Sequence, residues 1–163
     1  MSPSLASPSP AFPSPTSLAA SPSTGPTLEP TVGPAFGVKQ RGSDGPEITI
    51  FIFDPTGLLT AARGATEQDE APLIVTEVEP RIGGVPDAPN DVRVLWGGGV
   101  CDTTYTVEIT KDPDGGLHFD VSQGPQSSST CDSLGIGRGV VLTFKSPVDA
   151  TKATGAFHSA SPQ

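Results

Sequence analysis

Between Glu47 and Phe157 apolar side chains recur at every second position in short runs, and each run is closed by Pro, Gly, Asp or Ser. Residues two apart share one face of a strand, whereas a helix face requires recurrence at three and four. No stretch supplies the helical spacing, so this region has to be assembled from strands. Val92, Val94 and Trp96 alternate with Arg93 and Leu95, and Tyr105, Val107 and Ile109 with Thr104, Thr106 and Glu108. Leu117, Phe119 and Val121 alternate with His118 and Asp120, and Val140, Leu142 and Phe144 with Val141, Thr143 and Lys145. The first set in each pair is expected inward. In Glu47 to Phe53, Ile48, Ile50 and Ile52 face one way and Phe51 and Phe53 the other, which predicts a strand buried on both sides or covered by a loop.

Turn chemistry separates the runs. Asp54-Pro55-Thr56-Gly57 and Asp112-Pro113-Asp114-Gly115 each place Asp where its carboxylate can accept backbone N–H groups, Pro where φ is near -65°, and Gly at a left-handed exit. Each predicts a hairpin, the first joining Glu47–Phe53 to Leu58–Arg63 and the second joining Thr104–Thr110 to Leu117–Val121. Gly64 to Pro72 reads as a solvated polar break. Leu73–Val78 and Thr151–Phe157 add short strands, the latter at a sheet edge. Pro80 to Asn90 has no period and reads as a long connection, a place where binding loops occur. Seven to eight short strands predict an all-β fold, an antiparallel β-sandwich that is immunoglobulin-like in general architecture. It is not an antibody-type domain, because Trp96 precedes both cysteines instead of lying between them.

Composition sets the boundaries. Ten of the 19 prolines fall in residues 1–46, among Ser, Thr, Ala and Gly. Proline fixes its own φ and biases its predecessor toward extended geometry. The scattered Leu5, Phe12, Leu18, Val32 and Phe36 offer no face that would offset ordering entropy. Residues 1–46 are therefore expected to be a disordered Pro/Ser/Thr-rich linker or stalk, 47–158 the β-sandwich domain, and 159–163 a frayed C-terminus. Glu29 and Asp44 cancel Lys39 and Arg41, so the formal charge of -9 sits on the rest of the chain. A field of that sign disfavours nucleic acid and unaided docking on anionic lipid. No run approaches the roughly 18 apolar residues of a membrane helix.

Cys101 and Cys131 are the only cysteines. In an otherwise Cys-poor chain they fit one structural disulfide formed in an oxidising compartment, the other reading being two buried or incidental thiols. Export requires a signal or anchor, and the first basic residue is Lys39. Any such segment is expected upstream of these residues.

Catalytic and ligand patterns are sparse. HExxH, CxxC and G-x-S-x-G do not occur. Gly97-Gly98-Gly99 has no following Lys or helix, and Gly135-Ile136-Gly137-Arg138-Gly139 opens onto a strand, so neither reads as a phosphate loop. His118 and His158 have no spacing that ties them to a nucleophile or metal set. A disulfide would draw Asp102 and Asp132 together, but an Asp after Cys is more often a loop residue bonding its own backbone. Asp112 and Asp114 lack the distal Glu of a calcium loop. No catalytic, cofactor-binding or metal residue is assigned, and no cofactor is expected.

Trp96-Gly97-Gly98-Gly99-Val100-Cys101-Asp102, with Cys131-Asp132, Gly135, Arg138 and the run Leu142 to Val148, resembles uncharacterised secreted or lipoprotein-type bacterial β-sandwich domains. Those domains share W-x-G-G-x-C-D and C-D…R…L-x-F-x-x-P-V segments. The resemblance spans Asp91 to Thr154, implies export and a disulfide, and carries no assigned activity. The chain is thus expected to be a non-enzymatic, monomeric, extracellular or cell-envelope module with a structural or binding role and a protein or glycan partner. The alternative is a carbohydrate- or peptide-binding domain using loops 80–90 and 123–130.

Overall fold

A computed structural model of the protein describes residues 3–4, 33–41, 45–69, 79–126 and 135–160. Contacts divide the chain into Met1–Pro30 and Thr31–Gln163, and the second unit holds the sandwich. Nine strands are present among the described residues: β1 Phe36–Arg41, β2 Glu47–Phe53, β3 Leu59–Gly64, β4 Arg81–Val85, β5 Ala88–Gly98, β6 Thr104–Lys111, β7 Leu117–Gln123, β8 Ile136–Phe144 and β9 Thr154–His158. A 3₁₀ turn at Ala150–Lys152 is the one helical element among them. One sheet has the order β1-β2-β6-β7-β9 and the other β3-β8-β5-β4. The all-β sandwich stands. Five of the seven pairings are antiparallel, while β2 with β6 and β7 with β9 are parallel.

The alternation pattern becomes the core directly. Ile48, Ile50 and Ile52 of β2 and Tyr105, Val107 and Ile109 of β6 point into the space between the sheets, as do Phe119 and Val121 of β7. Val92, Val94 and Trp96 of β5 and Val140, Leu142 and Phe144 of β8 meet them from the opposing layer. Phe119 and Phe144 contact edge-on across the layers, with centroids 6.4 Å apart. Burial of such side chains at about 1.5–3 kcal/mol each is what offsets chain entropy in a domain of this size.

Four local expectations are corrected. Phe36–Arg41 falls within the expected linker yet forms β1, pairing with β2 from Phe36↔Ile52 to Arg41↔Glu47. Its inward set is Phe36, Val38 and Gln40, so a polar residue at a core position hides the alternation. The stretch from 80 to 90 is not a loop but most of the β4–β5 hairpin, turned at Pro86-Asp87. The Asp54–Gly57 turn does not close a hairpin: β3 pairs with β8 in the other sheet, so the turn is an arch between layers. Phe51, on the outer face of β2, is 37% exposed, so β2 is buried on one side only. The Leu73–Val78 strand, nearly all of the expected stalk before Gly33, and residues 161–163 lie outside the described residues.

The arch is held by one carboxylate. Asp54 Oδ1 accepts from the Thr56 N–H at 3.1 Å and from the Thr56 hydroxyl, while Oδ2 accepts from the Leu59 N–H at 2.7 Å. Gly57 takes φ +66° as the turn signal requires. A second polar tie crosses the layers at the β1 edge. The buried Gln40 amide donates to the Ala65 carbonyl at 3.3 Å and accepts from the Gly139 N–H at 3.2 Å. The polar break after β3 also packs down, with Ala65 buried and Arg93 donating to the Asp69 carbonyl at 3.1 Å.

Asp87 has φ +60° immediately after Pro86, an arrangement that suits Gly or Asn and strains a β-branched residue. Asp87→Val is expected to cost about 1–2 kcal/mol in urea unfolding, while Asp87→Gly leaves stability within about 0.5 kcal/mol.

Candidate functional site

The densest convergence of polar side chains lies at the end of the sandwich where β6 begins and β7 ends. Asp102, 2% exposed, follows the glycine-rich turn out of β5. Its Oδ2 accepts from the Gly99 N–H at 2.5 Å and from the Tyr105 hydroxyl. Its Oδ1 accepts from the Gln123 amide at 2.5 Å and from the Gln126 amide at 3.4 Å. A carboxylate offers about four lone-pair positions, and here four donors use them. Tyr105 is fully buried, and its ring lies 5.3 Å from that of Trp96 at a 58° tilt. Arg138 is fully buried beside this group and donates from Nη1 to the Pro46 carbonyl at 3.1 Å.

Glycine is required where these groups meet. A Cβ on Gly98 would stand 2.9 Å from Arg138 Cγ, 3.2 Å from Asp102 Oδ2 and closer still to the Tyr105 hydroxyl. The third residue of the Trp96–Asp102 segment is therefore a contact surface, not merely a flexible link. Burial first, and then the hydrogen bond and charge of Asp102, push the Tyr105 phenol far above its ordinary range. The Arg138 guanidinium and the Trp96 indole oppose that shift. Tyr105 is thus a fixed neutral donor, and Asp102 has no acceptor position left for a substrate proton. Burial explains why the Asp102 carboxylate is fully partnered: leaving it unsatisfied would cost about 1–3 kcal/mol.

The two halves of the sequence segments meet in this cluster. Trp96, Gly98 and Asp102 come from the first segment and Arg138 from the second. Arg138 shares the inward phase of Val140, Leu142 and Phe144, a signal that could have placed it in the core. Cys101 is half-buried directly before Asp102, and no cysteine among the described residues is free. Cys131 and Asp132 lie outside the described residues, as do 127–130 of the second candidate loop. The described start of that loop is tied inward through Gln123 and Gln126.

The two histidines, unconnected in sequence, come together on the outer face of the five-stranded sheet. His118 Nε2 is 3.3 Å and His158 Nε2 3.0 Å from the same oxygen, Asp120 Oδ1. Parallel pairing of β7 with β9 is what brings them there. Partial burial works to raise the Asp120 carboxyl, but hydrogen bonds and charge from His158 and His118 outweigh it and hold it below the ordinary range. At the far end of the sandwich an open cavity of about 290 Å³ is floored by Leu58, Phe144, Pro147 and Val148 and rimmed by Lys111, Lys152 and Asp149. Asp149 already accepts from the Thr151 N–H at 3.1 Å and from its hydroxyl at 2.5 Å. No helix among the described residues is long and apolar enough to cross a membrane. Comparison with protein-family models, curated proteins and solved structures finds no match.

Asp102→Ala would strand the Tyr105 hydroxyl and the Gly99 N–H. It is expected to cost about 2–4 kcal/mol in chemical denaturation, with Trp96 emission shifting to longer wavelength. A separate acid effect should arise at Asp69, whose carboxylate takes Arg63 in a two-point pair at 2.6 and 3.1 Å and also accepts from Thr66. The Arg63 hydrogen bond dominates over burial and holds the Asp69 carboxyl far below its usual value. Its stabilisation is complete above the unfolded value of about 3.9 and is lost as pH falls toward the lower folded one. Asp69→Asn is expected to cost about 1 kcal/mol at pH 7, a difference that shrinks as unfolding is measured from pH 5 down to pH 2.

Proposed function

We propose that this chain is a non-catalytic, exported or cell-envelope β-sandwich module with a structural or binding role, braced by a disulfide between Cys101 and Cys131. One observation carries the reading: the carboxylate at the centre of the main polar cluster is buried and its acceptor positions are filled by the protein itself. Such a group holds a turn in place and has nothing to offer a reacting atom. Cys101 adjoins it, so a covalent tie at this point would fix the turn that delivers Asp102. The lack of free cysteine among the described residues supports the tie, and the resemblance to secreted and lipoprotein-type bacterial domains supports export.

The binding role is better served by the open outer face of the five-stranded sheet than by loops 80–90 and 123–130. Residues 80–90 are mostly hairpin strand, and Gln123 and Gln126 face the buried cluster. Phe51, the one large apolar side chain exposed among the described residues, offers that face a stacking surface for a sugar ring or peptide side chain. Phe51→Ala is expected to abolish any glycan or peptide-array signal without lowering stability.

For the brace, intact protein from an oxidising host should titrate with no thiol before reduction and two after it. Reduction should lower unfolding stability by roughly 3–4 kcal/mol, the chain-entropy value for a loop of about 30 residues. Thiols that titrate in the untreated folded protein would remove the disulfide from the proposal.

A further inference from the structure

With both imidazoles neutral, the His118–Asp120–His158 seam sets a hydrogen-bond acceptor against an acceptor. The Thr154 hydroxyl donates to Asp112 Oδ2 at 3.0 Å, which spends its only proton. Thr154 Oγ1, 2.6 Å from His118 Nδ1, must therefore accept from it, so Nδ1 carries the proton. In the neutral ring Nε2 then presents a lone pair to Asp120 Oδ1 at 3.3 Å, acceptor facing acceptor. Across the antiparallel β6–β7 pair, Glu108 stands directly opposite Asp120 on the same outward face, a second source of negative potential. A positive charge between these groups would resolve both conflicts.

We propose that His118, Asp120 and His158 admit a divalent transition-metal ion, Zn2+ being the probe of choice, through the two imidazole Nε2 atoms and one carboxylate oxygen. Two ligand atoms about 2.1 Å from one cation lie about 3.0 Å apart at a right angle and about 3.4 Å apart at the tetrahedral angle. The observed N···O separations of 3.0 and 3.3 Å already have that size. No three His, Cys, Asp or Glu side chains among the described residues stand ready as a metal cage. The site instead forms by insertion, the ion replacing the two N···O contacts while solvent fills its remaining positions. The Asp112–Thr154–His118 relay is the outer support that metal-binding histidines use to fix their tautomer and aim the ligating nitrogen. Partial exposure of all three side chains, at 26%, 33% and 59%, leaves the ion a way in. The inference is independent of the Cys101 brace.

The test uses untagged, chelator-stripped protein, titrated with ZnCl2 by calorimetry and followed by imidazole ¹⁵N–¹H correlation spectra. One equivalent should move the Nε2 signals of His118 and His158 and leave His118 Nδ1 protonated. His158→Ala and Asp120→Asn should each weaken binding at least tenfold. Thr154→Val, which touches no metal, should weaken it about tenfold through the lost relay. His158 is at an exposed edge, so its variant should melt with the parent protein. Imidazole signals that respond to pH but not to millimolar Zn2+ would mean that the seam holds only a proton, and the proposal falls. Zn2+ binding that is indifferent to His158→Ala and Thr154→Val would place the ion elsewhere, with the same consequence.

Discussion

The acceptance of four donors by the Asp102 carboxylate ties together parts of the chain that share no other reason to meet. Gly99 belongs to the exit from β5, Tyr105 to the start of β6, and Gln123 to the end of β7, with Gln126 just beyond it. A carboxylate taken out of water tolerates no missing partner, so each of these segments has to arrive in one register. The apolar core is less exacting. Alternating Val, Ile and Phe would fill the space between sheets in several registers two residues apart. Asp102 removes that freedom, and Gly98 allows the backbone to come close enough for it to do so.

Two nearly identical turns show how far local chemistry reaches. Asp54-Pro55-Thr56-Gly57 and Asp112-Pro113-Asp114-Gly115 both place glycine at positive φ, at +66° and +81°. After Gly115 the chain returns beside itself, and Asp112 and Gly116 close the hairpin with a 2.9 Å bond. After Gly57 it leaves for the other sheet. The difference lies in what is available to pair. β2 takes β6 as its parallel neighbour and β3 takes β8, and neither partner is near in sequence. The four-residue turn sets the bend, while long-range pairing decides between hairpin and arch.

The same limit separates what the sequence pattern disclosed from what it concealed. Every inward set read by alternation, from Ile48 to Phe144, is in the core, because strand period and burial are local properties of the chain. β1 was hidden by Gln40, an inward polar residue whose partners, Ala65 and Gly139, are 25 and 99 residues away. β4 was hidden because Gly83 and Gly84 leave Ile82 and Val85 as its only apolar signals, which weakens any strand pattern. The Asp102 cluster was half legible: the glycine run and the Cys-Asp pairs stood out, and the phase of Arg138 was available. Of the His118–Asp120–His158 seam only the shared outward face of His118 and Asp120 was legible, since His158 joins them through β9 lying parallel to β7.

Strand direction also explains why polar groups are distributed as they are. β6 and β8 both run from the Asp102 end of the sandwich toward the end formed by Leu58, Asp114 and Phe144. Arg138 therefore stands beside Asp102, and Phe144 beside the open cavity. One end is closed by the hydrogen bonds of Asp102, and the other opens into a cavity with an apolar floor and a charged rim. Between them the outer face of the five-stranded sheet carries hydroxyls, carboxylates, imidazoles and Phe51, none of which the core requires. Residues that the fold does not use are the ones free to meet another molecule, and here they lie on that face.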